Sequence, residues 1–193
     1  WKPGQAFLDP MCGSGTFLIE AALIATNQAP GLKRNFGFMA WKNFDKALFK
    51  DIKKSYQNAI IQKDFLRIYG SDKDLRAVRV SKKNLVLAGF ENCIQLACKQ
   101  FNEIKPPLDE GVLVTNPPYG ERIGDDEELD NAYPDWARTL KQSFAGWSTY
   151  FLTNDFRMPK LMRLAPSKKT PLFNGALDCR LFEIKMVAGS NRK

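Results

Sequence analysis

The amino-acid sequence predicts an α/β domain built on a doubly wound sheet, and three observations predict it. Short apolar runs alternate with stretches of helical periodicity through at least four rounds, the order expected of strands and crossover helices. A glycine-rich turn follows the first run and a proline pair follows the fourth. No internal repeat, linker or low-complexity tract interrupts the pattern, so residues 1–193 are expected to form one domain.

Residues 5–9 are apolar and end in Asp9-Pro10; a glycine-rich turn and the alanine-rich stretch 17–25 follow, which reads strand, loop, helix. Residues 29–44 hold Pro30, Gly31, Gly37 and the aromatics Phe36, Phe38, Trp41 and Phe44 without helical periodicity, so a long loop is expected. Such aromatics pin a loop to the body more often than they stack on a ligand. Over 45–63 the apolar residues Ala47, Leu48, Ile52, Tyr56, Ala59 and Ile60 recur near the helical period between lysines, predicting an amphipathic helix. Residues 65–69 are strand-like, Gly70-Ser71-Asp72 reads as a turn, and 75–87 as a helix that Gly89 can terminate. Strands are expected at 94–98 and 112–115, then a helix over 129–144 that Pro134 bends or begins. A strand at 149–153, a helix at 158–164 and a long alternating strand at 179–186 complete the expectation.

The chain has 193 residues, 44% of them hydrophobic, enough for a full core around a sheet. It shows no charged leader with a cleavage site and no apolar run long enough to cross a bilayer, so a soluble cytoplasmic protein with no membrane partner is expected. It opens on Trp1 at the start of a strand-like run, the expected sign of a piece cut from a longer polypeptide. Histidine is absent, which excludes Ser-His-Asp and Cys-His catalysis. Cys12, Cys93, Cys98 and Cys179 show no CxxC spacing, so no metal site is expected. A net charge of +8 favours a polyanionic partner, although basic domains without one are common. Arg157, Lys160, Arg163, Lys168 and Lys169 lie where no acidic residue stands between Asp155 and Asp178; they form either a solvated helix face and loop or a phosphate-contacting patch.

Three motifs carry chemistry. In Asp9-Pro10-Met11-Cys12-Gly13-Ser14-Gly15-Thr16 the glycines let backbone approach a ligand, and the helix that follows offers free N–H groups to an anionic end. Leu18 stands where a dinucleotide fingerprint needs a third glycine, and no Gly-Lys-Ser/Thr follows. A glycine turn made for packing alone would look similar. In the second motif, Asp72 can accept hydrogen bonds from both hydroxyls of a ribose, or Asp72 or Asp74 can simply cap the next helix. The third, Asn116-Pro117-Pro118-Tyr119, is the informative one. Its prolines hold a stiff turn without N–H donors, the Asn116 amide oxygen and the Pro117 carbonyl can accept the two hydrogens of an exocyclic amine, and Tyr119 offers a ring for a base to stack on. The bland alternative is a strand end with Tyr119 in the core.

On these residues the chain resembles class I S-adenosyl-L-methionine methyltransferases acting on the amino groups of bases. More narrowly, Asp-Pro-Met-Cys-Gly-Ser-Gly-Thr at 9–16, Gly-Ser-Asp at 70–72, Asn-Pro-Pro-Tyr-Gly-Glu-Arg at 116–122 and Asn-Gly-Ala-Leu-Asp-Cys at 174–179 resemble the THUMP-containing bacterial ribosomal RNA methyltransferases, nearest the large-subunit guanine-N2 enzymes. The resemblance implies a Rossmann-like, mostly parallel seven-stranded sheet with an antiparallel C-terminal strand and helices on both faces. It also implies ribosomal RNA as partner and an upstream THUMP RNA-binding domain. Cofactor contacts are implied at Asp9, Met11, Cys12, Gly13, Ser14, Gly15, Thr16, Asp72 and Asn116, and catalysis at Asn116, Pro117, Pro118 and Tyr119. Gln100 stands where the family usually has an Asp that meets the cofactor adenine. Arg122 and the basic stretch from Arg157 to Lys169 are candidate RNA contacts. Two rival functions fit the same motifs: DNA adenine-N6 methylation, because the tetrapeptide grips an amine without naming its base, and a non-catalytic RNA-binding module.

Overall fold

The structure is a computed structural model describing residues 1–118 and 125–189, with backbone alone at 125–128. Tyr119 and Arg122 therefore lie outside the described residues. Strands β1 (Ala6–Asp9), β2 (Ile68–Asp72), β3 (Gln95–Cys98), β4 (Gly111–Thr115), β5 (Trp147–Thr153), β6 (Lys168–Asn174) and β7 (Leu177–Lys185) form one sheet in the order β3-β2-β1-β4-β5-β7-β6. Neighbours from β3 through β5 pair in parallel, whereas β7 runs antiparallel to both β5 and β6. The expected sheet, with its antiparallel C-terminal strand, is the observed one.

Among the described residues five α-helices accompany it: α1 (Thr16–Ala25), α2 (Lys46–Asn58), α3 (Leu75–Ala88), α4 (Asp125–Ser143) and α5 (Met158–Met162). Strand alternation sends Phe7 to one face and Ala6 and Leu8 to the other. Phe7 joins Leu18, Ala21 and Ala22 of α1 and Leu85 of α3, while Ala6 and Leu8 join Tyr133, Trp136 and Leu140 of α4 and Met158 of α5. Helices thus cover both faces, but the amphipathic stripe expected over 45–63 is not buried: α2 ends at Asn58, has no buried residue, and leaves Leu48, Ile52 and Tyr56 exposed.

Four further expectations are corrected. Gly70, Ser71 and Asp72 are the last residues of β2 rather than a turn. Gly70 is there for packing: a Cβ would meet Leu18 Cδ1 at 2.4 Å and Leu96 Cδ2 at 2.9 Å. The helix placed at 129–144 starts at Asp125 and carries Pro134 inside it, giving up one intrahelical hydrogen bond. The helix at 158–164 stops at Met162 because Arg163 turns left-handed, with φ 51°. Finally, Lys168 and Lys169 belong to an edge strand, not to a helix face or loop.

The aromatics of the 29–44 loop pack against one another and against Phe49 of α2, with ring centroids 5.3–6.5 Å apart. Among the described residues no helix is long and apolar enough to cross a membrane.

Candidate active site

The chain reverses its direction of travel across the sheet between β1 and β4, and open α/β sheets bind ligands at the carboxyl ends of the strands flanking such a switch point. Asp9 ends β1 and Asn116 follows β4. A cavity of about 520 Å³ lies there, within the usual size range of small-molecule sites. Its wall includes Met11 and Gly13 of the loop after β1, Asp72 at the end of β2, Gln100 after β3, and Asn116 and Pro118 after β4. Residues predicted from three separate motifs are thereby brought together.

The loop after β1 is held from several sides. Gly13 and Gly15 sit at φ 52° and 84°, the left-handed region that favours glycine, and a Cβ on Gly15 would also approach Ser81 Oγ to 2.9 Å. The Gly13 N–H donates to Asp72 Oδ2 at 3.0 Å, and the Cys12 N–H to the Ser71 carbonyl at 2.9 Å. From α3, Ser81 Oγ donates to the Gly13 carbonyl at 2.8 Å and Asn84 Nδ2 to the Ser14 carbonyl at 2.9 Å. Ser81 is wholly buried. Neither Ser81 nor Asn84 was legible as functional, since each reads as a polar break in a helical stripe.

Asp72 has a second acceptor bond, from the Asp74 N–H to Oδ1 at 2.9 Å. A carboxylate offers about four acceptor sites, so each oxygen keeps one for a ligand hydroxyl. The capping alternative falls to Asp74, whose side chain accepts from the Arg76 N–H at the start of α3.

Asp9 and Cys12 do not line the cavity; both are buried beneath the loop. Asp9 Oδ1 accepts from the Met11 N–H at 3.1 Å and from Thr115 Oγ1 at 3.0 Å, tying the loop to the end of β4. Burial pushes the Asp9 carboxyl up to about 7, against the pull of those two donors, and the Asp72 charge adds to the rise. Burial likewise pushes the Cys12 thiol up to about 12, which leaves it an inert neighbour of Ser81 Oγ at 3.6 Å. Ser14 and Thr16 are exposed, with hydroxyls 3.2 Å apart, and Gly15 is the N-cap of α1. Pro117 is buried outside the lining.

The opposite wall comes from α4 and from the turn after β3. Leu129, Ala132, Asp135 and Trp136 of α4 face the cavity together with Phe101 and Asn102, and Phe101 packs on Trp136 with centroids 5.2 Å apart. A charged network borders the exposed margin of α4: Arg157 pairs with Asp130 on α4 at 3.1 Å and with Asp155 at 3.0 Å, and the Tyr133 hydroxyl donates to Asp155 at 3.3 Å.

The basic stretch does not gather on one face. Arg157 is committed to those carboxylates, Lys160 and Arg163 are exposed on and after α5, and Lys168 and Lys169 alternate to opposite sides of β6. Lys169 Nζ stands 6.0 Å from the Phe182 ring centroid.

Comparison with known proteins accounts for this architecture. The model of the RMKL-like methyltransferase domain family matches residues 1–183. The chain belongs to that family. Over 190 residues the methyltransferase domain is 41% identical to the ribosomal RNA large subunit methyltransferase K/L of Shewanella sp. (strain W3-18-1), a match covering 96% of this chain and 27% of the relative. The chain thus spans about a quarter of the length of the curated relatives it matches. Among solved structures it is similar to SMU.472, assigned as a methyltransferase and complexed with SAH (TM-score 0.91, 36% identity, 98% of this chain and 50% of that one). It is also similar to a predicted N6-adenine-specific DNA methylase from Listeria monocytogenes str. 4b F2365 (TM-score 0.87, 33% identity, 96% of this chain and 48% of that one).

Proposed function

We propose that this domain transfers a methyl group from S-adenosyl-L-methionine to the exocyclic N2 amine of a guanine in large-subunit ribosomal RNA. The observation that carries the reading is the meeting of Gly13, Asp72 and Asn116 around one cavity at the switch point of the sheet. The residues fit the cofactor. The glycine loop admits its amino-acid end close to backbone, the spare acceptor sites of Asp72 suit a ribose, and Gln100 with Phe101 offers an amide and a ring to an adenine. SAH in SMU.472 supports the same assignment. When bound, S-adenosyl-L-methionine supplies an electrophilic methyl group.

The chain's own part is to orient the acceptor. Asn116 and the Pro117 carbonyl hold the two amine hydrogens, aim the nitrogen lone pair at the cavity, and stabilise the positive charge that grows on nitrogen better than they stabilise the planar amine. No general base of the imidazole type is required, which suits a chain without histidine. A base inside a helix cannot reach Asn116, so an unpaired or flipped nucleotide is the substrate form. The name of the Shewanella relative supports ribosomal RNA, and the greater length of such relatives supports an accompanying THUMP-type RNA-binding segment. A second reading, adenine-N6 methylation of DNA, is favoured by the description of the Listeria protein.

The test supplies labelled S-adenosyl-L-methionine with ribosomal RNA from a strain lacking the enzyme or with adenine-containing duplex DNA, then identifies the labelled nucleoside. N2-methylguanosine from RNA is the expected product; label confined to N6-methyladenine from DNA would replace the first reading by the second. In the same assay Asn116→Ala is expected to lower single-turnover transfer about 100-fold, with cofactor affinity changed far less than transfer. Asp72→Ala is expected to weaken the cofactor by about 1.5–3 kcal/mol.

A further inference from the structure

The β6–β7 hairpin reaches beyond the sheet on the side of the candidate site. Pairing of β5 with β7 ends at Thr153↔Arg180, so Leu177, Asp178 and Cys179 pair with β6 alone. Three residues of strand carry the tip roughly 10 Å past the carboxyl end of β5. That end is shared with β4, where Asn116 stands, and two or three strand spacings separate the hairpin from β4 laterally, roughly 10–15 Å.

The tip is apolar where a surface hairpin has no folding reason to be. Phe173 is 74% exposed and Leu172 40% exposed. Below them Phe156, 49% exposed, lies under the Arg180 guanidinium, 4.6 Å from its ring centroid, and Arg180 is also bonded to Asp178. Strand alternation puts Phe173 on the same side of β6 as Pro171, the register partner of Arg180. Exposed aromatic rings beside a guanidinium, next to a site that takes a base, match the stacking surfaces on which single-stranded nucleic acid lies.

We propose that this hairpin tip, with Phe173 outermost and the Phe156–Arg180 stack at its base, is a stacking platform for unpaired ribonucleotides adjoining the target base. The inference rests on the nucleic-acid reading above. An unpaired base presents a free π-face that a paired one does not, and the span between tip and Asn116 suits neighbours in the same strand as the base held there.

The test measures the affinity of the chain for an unstructured oligoribonucleotide by fluorescence anisotropy, separately from methyl transfer. Phe173→Ala, a change at an exposed side chain, is expected to raise Kd about 5- to 150-fold. Phe173→Trp is expected to restore the wild-type value, and its added emission to be quenched by the RNA relative to the wild-type chain. Equal affinity of Phe173→Ala and wild type would overturn the platform. So would an unchanged RNA affinity accompanied by loss of self-association in sedimentation, which would make the tip a contact between copies. Loss of RNA binding in Phe173→Ala, with no methyl transfer by the wild type, would sink the proposed reaction and leave the platform standing. Methyl transfer by the wild type with Phe173→Ala unaltered in Kd would sink the platform alone.

Discussion

The glycine loop after β1 and helix α4 border the same cavity but are held by different forces. The loop is fixed peptide by peptide: Met11 and Gly13 give their N–H groups to Asp9 and Asp72, and Gly13 and Ser14 have their carbonyls taken by Ser81 and Asn84. Those bonds span 2.8–3.1 Å, three of the four are partly buried, and they come from three different elements, so the loop is arranged for its ligand before the ligand arrives. Helix α4 is placed by apolar packing of Tyr133, Trp136 and Leu140, and at its exposed margin by Arg157 between Asp130 and Asp155. Charge pairs at a half-exposed margin are weaker and screened by salt. The loop wall is therefore expected to be stiff and salt-indifferent, and the α4 wall to be the adjustable one.

The largest expected effect tests the buried end of the stiff wall. The folded state holds the Asp9 proton more tightly than the unfolded chain does, because burial raises that carboxyl from 3.8 to about 7. Asp9 therefore favours the fold most below about pH 4, and the benefit is lost as pH rises toward 7. Asp9→Asn removes that dependence, so urea denaturation at pH 4.5 and pH 8 should show the variant gaining on the wild type by roughly 3–4 kcal/mol. Parallel pH profiles would mean that Asp9 is not held as a costly buried carboxylate.

A smaller effect concerns the α3 side of the loop. Ser81→Ala or Asn84→Ala should each weaken cofactor binding by about 0.5–1.5 kcal/mol, the net worth of one hydrogen bond. Transfer at saturating cofactor should be unchanged, since neither residue borders the acceptor end of the cavity. A fall in kcat with KM for the cofactor intact would reverse the roles assigned to the two walls.

The smallest expected effect belongs to the adjustable wall. Arg157→Gln should cost about 0.2–1 kcal/mol by thermal denaturation in low salt. The difference should close near 1 M salt, where the screening length falls to about 3 Å. A deficit that persists there would show Arg157 acting through packing, and the contrast between the walls would lose its basis.

Much of the cofactor side was legible because its signals are local. Glycines at 13 and 15, an Asp at the end of β2 and a proline pair after β4 each announce themselves within a few residues. What decides whether Asp72 caps a helix or holds Gly13 is a contact between residues 59 positions apart, and no local pattern contains it. The same holds for Ser81 and Asn84, and for Gly70, whose missing Cβ is needed by Leu18 and Leu96. Strand β6 was missed because Lys168-Lys169-Thr170-Pro171 shows neither apolar alternation nor a β-branched run. The usable signal was Gly175-Ala176, a two-residue loop with glycine in its first position, where Gly175 takes φ 60° and Asn174 pairs with Leu177. The α4 wall escaped because its residues are ordinary core side chains that happen to end at a cavity.

Edge strand β6 also bears on how the protein behaves at high concentration. An outermost strand offers an open row of backbone groups on which another chain can crystallise as an eighth strand, the first step of fibre-like stacking. Within its seven residues β6 carries two lysines, whose charges repel a like neighbour, and Pro171, which has no N–H to offer. The strand that supports an apolar hairpin tip is thus itself a poor template, and the sheet ends at seven strands without needing a cover.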